Sequence, residues 1–415
     1  MKKTENKKIT IGILTFHRCV NNGAVMQAYS LSKRLKQEFY GQNVHVEIID
    51  YQMPRVDSYC APSIMSYYRN CNPVLALKRT YRLLRNPCKF KQDKKRIAVF
   101  EKSFVKLPLS KKKIYEDSTD QLYEYMNNNY DIIIAGSDAI WNYDVRGLPN
   151  PYFLSDQVKC QKFSYAASVY GMNYENIQQS DKENIRRILD SYRLLGTRDD
   201  ESEKFVHAIG STNRVIHTCD PTVFLDVNRL PISEEDLKDK LKKRGFDFTK
   251  PTIGMMGTDA MCDMLRKMFG IQYQIVALFN YCEKADCNLY DFSPFEWAYV
   301  FRLFKVTVTT FFHGTLLSLR NGTPVVCIAL DNDYSKRHKT KVQDVLERVG
   351  LQGSYFKSDY RTQSIQEIQD CIVYYMSRDV RNEIIDRMDR EAKSFLPFFY
   401  ELNNTVHELM EKMCQ

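Results

Sequence analysis

"ITIGILTFHRCVNNGAVMQAY", Ile9 to Tyr29, decides how the whole chain is read. Ile9, Ile11, Ile13, Leu14 and Phe16 make an apolar run of the length of one buried strand, and Ala24, Ala28, Leu31, Leu35 and Phe39 then recur at helical spacing. Between them, His17 to Gly23 is polar. Asn and Gly here suit a plain turn. They also suit a ligand loop, because a loop leaving a parallel strand for its helix lies at the carboxyl edge of the sheet, where open α/β folds bind ligands.

The same arrangement recurs along the chain. "VHVEIIDY" (Val44–Tyr51), "YDIIIAGSDAIWN" (Tyr130–Asn142), "KFSYAASVYG" (Lys162–Gly171), "SYRLLGTRDDES" (Ser191–Ser202) and "NRVIHTCDPTVFL" (Asn213–Leu225) read as strands running into polar turns. A charged helical stretch with a linker near Asp236–Lys250 follows. "KPTIGMMGTDAM", "YQIVALF", "FKVTVTTFFHGTLLSLRNG" and "TPVVCIAL" then restart the alternation. Sequential strand–helix units build parallel sheets with right-handed crossovers. The reading is α/β with two doubly wound Rossmann-like domains and a cleft between them. The first spans 1–240 and carries a basic helical insertion at about 52–129; the second spans 250–378. Helices over 379–415 are expected to pack back across both.

A chain of 415 residues exceeds one ordinary core, and 44% hydrophobic with 13% aromatic residues marks it as globular. No apolar run is long enough to span a bilayer, and "MKKTENKK" leads into a strand without a small-residue cleavage site. A cytoplasmic protein is expected. The twelve cysteines are scattered, with no C-x-x-C and no His/Cys cluster at zinc spacing, so they read as small core residues in a reducing compartment and no metal is expected. Leu77 to Lys113 holds fourteen Lys and Arg against Asp93 and Glu101, a local +12 in a chain of net charge +9. That is a solvated face or a surface for anionic lipid head groups or a lipid-diphosphate-linked substrate. No recognition motif or aromatic stacking pattern accompanies it, so nucleic acid is not an expected partner.

Four strand ends carry side chains suited to chemistry. In "TTFFHGTLLSLRNG", His313, Gly314 and Thr315 open a helix, which aims an imidazole and free backbone N–H groups at the mouth of the sheet, where anions are favoured. In "GTRDDES", Arg198 either pairs with its neighbouring acids or forks a carboxylate or phosphate. "AGSDAIWN" offers Ser137 and Asp138, with Trp141 as a wall; Asp138 serves equally as a helix cap. Lys336, Arg337, His338 and Lys339 precede another helix in a basic loop.

Together, "GILTFH…NNGAVMQAYSL", "IIIAGSDAIWN", "FSYAAS", "GTRDDES", "CDPTVFL", "SPFEWAYVF" and "TTFFHGTLLSL" resemble the polysaccharide pyruvyl transferase family, in order as well as wording, from about residue 9 to 350. The resemblance implies a GT-B-like fold with His17–Gly23 facing the cleft. It also implies transfer of a pyruvyl group from phosphoenolpyruvate to two hydroxyls of a sugar of a surface polysaccharide or its lipid-linked precursor, giving a cyclic ketal. No cofactor is implied, phosphoenolpyruvate being the co-substrate. His313 then matches the acid. Arg198, Gly314 and Thr315 would hold the donor, with Lys336, Arg337 and Lys339 nearby, while His17, Asn22, Gly23, Ser137 and Asp138 would hold the acceptor. One position departs: many members carry an arginine two residues before the histidine, where this chain has Phe311. A glycosyltransferase using a nucleotide-sugar donor on the same scaffold, and a non-catalytic glycan-binding or scaffold member, are the alternative readings.

Overall fold

The computed structural model describes residues 8–53, 73–85, 87–329, 338–357 and 364–415. β1 (Ile9–Leu14) is buried along nearly its whole length, as a central parallel strand covered on both faces must be. It pairs in parallel with β2 (Val44–Ile48) on one side and β5 (Ile132–Ala135) on the other. β6 (Gln161–Ala167), β7 (Leu194–Thr197) and β8 (Val215–His217) complete a six-stranded parallel sheet in the order β2-β1-β5-β6-β7-β8. A small parallel pair, β3 (Tyr51–Gln52) and β4 (Ile114–Tyr115), flanks it.

The second sheet is also parallel and six-stranded. It comprises β9 (Thr252–Met256), β10 (Gln274–Ala277), β11 (Cys287–Asn288), β12 (Val306–Thr309), β13 (Val325–Ala329) and β14 (Tyr355–Lys357), ordered β11-β10-β9-β12-β13-β14. That is the Rossmann order, whereas the first sheet is flavodoxin-like with one strand added. In each, the strand order reverses once: between β1 and β5, and between β9 and β12. Ligands of doubly wound sheets bind outside the carboxyl ends of the strands at such a reversal.

One core runs between the two sheets. Ile9, Ile11 and Ile13 share it with Phe295, Trp297 and Phe301 of the second half, and Tyr29 meets Phe295 edge to face at 5.0 Å. The helix Phe395–Cys414 buries Phe395, Phe398, Leu402 and Val406 along one stripe; Phe398 packs on Tyr165 of β6 at 4.8 Å. The charged stretch between the two halves is helical, as its sequence suggests: the helix Glu234–Lys243 buries Leu237 and Leu241 in this core. Leucines at i and i+4 give it the apolar stripe by which it packs. Within the insertion, the helices Pro73–Arg85 and Pro87–Phe104 carry most of the basic residues.

Candidate active site

The loops at the two reversals face each other. Gly23, in the first turn of the helix Asn22–Glu38, lies so close to His313 that an added Cβ would sit 2.0 Å from Nδ1 of the imidazole. Asn21 caps that helix through its side chain, leaving Gly23 free for the contact. His313 enters from the helix Phe312–Arg320, whose first turn has no side-chain cap. Its Nε2 is 3.5 Å from Asp220 Oδ2, and Asp220 follows β8 in the Cys-Asp-Pro turn, its other oxygen accepting from Thr222.

Arg198 stands at the end of β7 with its side chain 2% exposed. Nη1 donates to Asp220 Oδ2 at 3.2 Å, so the carboxylate oxygen that bonds the guanidinium also faces the imidazole. Asp138 and Asp199 flank Nη2 and Nε at 3.7 and 3.9 Å, beyond hydrogen-bond reach. Nε and Nη2 form the side-on fork of a guanidinium, the edge that takes a carboxylate or phosphate bidentately. Both are buried without a hydrogen-bond partner. So are His313 Nε2, Ser137 Oγ and Asn22 Oδ1. Each such atom costs about 1–3 kcal/mol unless something fills the site.

The charges are mutually tuned. Burial opposes ionisation of Asp220, yet His313 and then Arg198 hold its carboxyl well below the usual carboxylate range. Burial likewise opposes ionisation of Asp138, and Arg198, Lys341 and His313 overcome it. Asp138 has φ of 88°, unusual for a residue with a side chain, and its backbone is pinned by a bridge to Ala167. For Arg198 the three aspartates outweigh desolvation and raise its pKa. Lys341 is the opposite case: desolvation first, then the Arg198 charge, push its ammonium down to about 8. Its Nζ lies 4.1 Å from the Tyr170 ring centre and 5.1 Å from that of Phe312, whose ring also carries Arg198 at 4.8 Å.

Of the residues singled out from sequence, the structure therefore brings together Asp138, Arg198, His313 and Gly23, with Asn22 and Ser137 beside them in the chain. Others are employed elsewhere. His17 is 1% exposed, its Nδ1 against Thr15 O and its Nε2 against Asp50, which also binds Arg18; no edge of the ring is left for an acceptor. Gly314 is explained by packing, since a Cβ there would meet Met256 Sδ at 2.5 Å. The Thr315 hydroxyl faces inward, onto Phe311 O and Cys327. Lys339 is held by Asp200, Asp344 and Glu347, and the cation in the site is Lys341, the first residue of the helix Lys341–Arg348. Lys336 and Arg337 lie outside the described residues. Asp220 and Lys341 are not singled out by the sequence, and Asp199 enters there only as a pairing partner of Arg198. Asp220 lies in the Cys219-Asp220-Pro221 turn, and its place after a strand is the available signal. Gln27, buried, ties the two loops of the first sheet by bonding Thr15, Phe16 O and Ser137 N.

The family model of polysaccharide pyruvyl transferases matches residues 21–332. The chain belongs to that family. No curated protein matches it in sequence. Among solved structures, the UDP-GlcNAc 2-epimerase of Neisseria meningitidis, bound to UDP-GlcNAc, aligns with a TM-score of 0.50 at 10% identity over 96% of this chain and 100% of that one. The wall teichoic acid polymerase TagF gives 0.50 at 12% identity over 100% and 92%. The UDP-GlcNAc 2-epimerase of Methanocaldococcus jannaschii gives 0.50 at 9% over 90% and 93%. At such identities the likeness concerns the fold, two Rossmann-like domains facing one another in the GT-B manner. For a pyruvyl transferase family member, the constellation just described occupies the matched region apart from Lys341.

Proposed function

We propose that the protein transfers the pyruvyl group of phosphoenolpyruvate to two hydroxyls of a sugar, releasing phosphate and leaving a cyclic ketal. The observation that carries this reading is the buried fork of Arg198, whose Nε and Nη2 make no hydrogen bond, beside the His313–Asp220 pair. Arg198 takes the donor's carboxylate or phosphate, and Lys341 adds a second cation. Protonated His313, held by Asp220, gives its proton to the enol methylene, which becomes the methyl group, and positive charge develops at the neighbouring carbon. A sugar hydroxyl attacks that carbon; its proton returns to the imidazole. The carbon–oxygen bond to phosphate then breaks, and the second hydroxyl closes the ketal as its proton leaves with the phosphate. Fixed charges in a water-poor cleft act without reorganising, which is worth several kcal/mol in comparable sites.

No cofactor enters this scheme. The acceptor is a sugar of a surface polysaccharide or of its lipid-linked precursor, met in the cytoplasm. Membrane contact is assigned to the helix Pro73–Arg85, where Val74, Leu77 and Tyr81 are 64, 77 and 59% exposed beside the exposed Lys78. Among the described residues no helix is long and apolar enough to cross a membrane. Replacing Leu77 and Tyr81 by Glu is expected to abolish sedimentation with anionic vesicles; wild-type protein that never sediments with them removes the membrane contact.

The reaction is tested by phosphate release from phosphoenolpyruvate with galactose- and mannose-type acceptors, followed by mass detection of the adduct. His313→Gln is expected to lower turnover by ~100- to 10,000-fold, the usual worth of a general acid, with donor affinity largely kept. Near wild-type turnover in that variant ends the acid assignment. Phe311 is the one feature that favours a different donor, and turnover of a nucleotide sugar in place of phosphoenolpyruvate would establish one.

A further inference from the structure

The insertion does not only cover the surface. Arg96, on the helix Pro87–Phe104, crosses to the second domain, where its guanidinium carbon lies 4.1 Å from the ring centre of Phe279 and Nη1 donates weakly to Phe279 O at 3.4 Å. Phe279 follows β10, at the carboxyl edge of the second sheet. Its ring packs at 5.0 Å against Phe311, the residue standing where many family members carry an arginine. Two residues later comes His313. The Nε and Nη2 atoms of Arg96 are buried and unpartnered, the same free fork seen in Arg198. Burial lowers its pKa to about 10, with the charge of Asp93 opposing the shift.

A guanidinium stacked on an aromatic face needs no buried open fork for packing alone. Leaving two donors dry is costly, and a planar anion or phosphate is what that edge recognises. We propose that Arg96 is an anion-binding residue of the cleft, delivered by the insertion through Phe279 to the place left by Phe311, and that its ligand is a phosphate-type anion. Either the phosphate of the donor or the diphosphate of a carrier-linked acceptor has that chemistry. The inference extends the reading of the cleft as a pyruvyl transfer site, but its test does not depend on turnover.

Arg96→Met keeps the apolar stem over Phe279 and removes the fork. Calorimetric titration of the full chain with phosphoenolpyruvate and with inorganic diphosphate should show affinity falling about 10- to 100-fold, the loss of one or two charge-assisted hydrogen bonds. Loss for phosphoenolpyruvate assigns Arg96 to the donor; loss for diphosphate alone assigns it to the carrier. In the Arg96→Met background, Phe311→Arg should recover the lost affinity by restoring the cation from the other side. Unchanged affinity for both ligands, or a wild type that binds neither, overturns the proposal. Should Arg96→Met melt well below the wild type, Arg96→Lys decides: it keeps the charge without the fork, so affinity unchanged in that variant also overturns it. A wild type that binds these anions through Arg96 yet never turns over phosphoenolpyruvate would refute the reaction and leave the anion site standing.

Discussion

At the residue scale, the decisive arrangement is one carboxylate, Asp220, shared between Arg198 and His313. It bonds Arg198, faces His313, and leaves Nε and Nη2 of Arg198 without a hydrogen bond. Lys341 adds a charge that can be titrated. With its pKa pushed down to about 8, the ammonium is charged below that value and lost above it. Donor binding should therefore weaken as pH rises through about 8 or somewhat higher, since a bound anion favours the protonated form. In Lys341→Arg the cation persists to high pH, and this alkaline limb should vanish from the pH profile of kcat/KM for the donor. A limb that stays in place in Lys341→Arg would remove Lys341 from donor binding. Sequence could not have singled out Lys341, which reads as an ordinary first residue of a helix after a basic loop. In that loop Lys339 is consumed by three carboxylates.

At the element scale, strand ends were the legible feature. β5, β7 and β12 each run into a short polar motif, and because parallel strands all point the same way, Asp138, Arg198 and His313 had to arrive at sheet edges of the same kind. What local sequence does not encode is which way a loop side chain turns. His17 sits on the expected loop, yet its ring folds back to Asp50, a partner 33 residues away, so a correct element carried an incorrect role. Gly23 suits a turn or a cleft-facing ligand loop by sequence; its backbone is helical and its missing side chain makes room for His313. That gives a sharp expectation. In an ordinary helix, Gly→Ala adds about 0.5–1 kcal/mol of stability. Here Gly23→Ala should displace the imidazole, lowering turnover and giving no rise in Tm. A stabilised Gly23→Ala enzyme with full activity would show that the helix and His313 do not meet in this way.

At the scale of the whole molecule, two sheets with separate histories in the chain share one core, and the long last helix returns to the first sheet. The cleft is consequently built from fixed surfaces: the first sheet supplies Asp138 and Arg198, the second supplies His313, and the insertion adds Arg96. Such convergence of long-range partners was visible in sequence only as a family resemblance, because no window of the chain contains both sides of the cleft. The basic insertion shows the same limit. Its charge reads as a solvated face, while Arg96 within it is directed inward onto Phe279.

The central claim is that this cleft is built for phosphoenolpyruvate, and direct titration tests it without knowledge of the acceptor. Calorimetry should be run on the wild type and on Arg198→Lys, which preserves the charge that Asp138, Asp199 and Asp220 require while removing the fork. The account predicts that phosphoenolpyruvate binds the wild type and binds Arg198→Lys about 10-fold or more weakly, as expected for losing a bidentate charge-assisted contact. Binding of UDP-sugars with no binding of phosphoenolpyruvate, or equal phosphoenolpyruvate affinity in the two proteins, would contradict it.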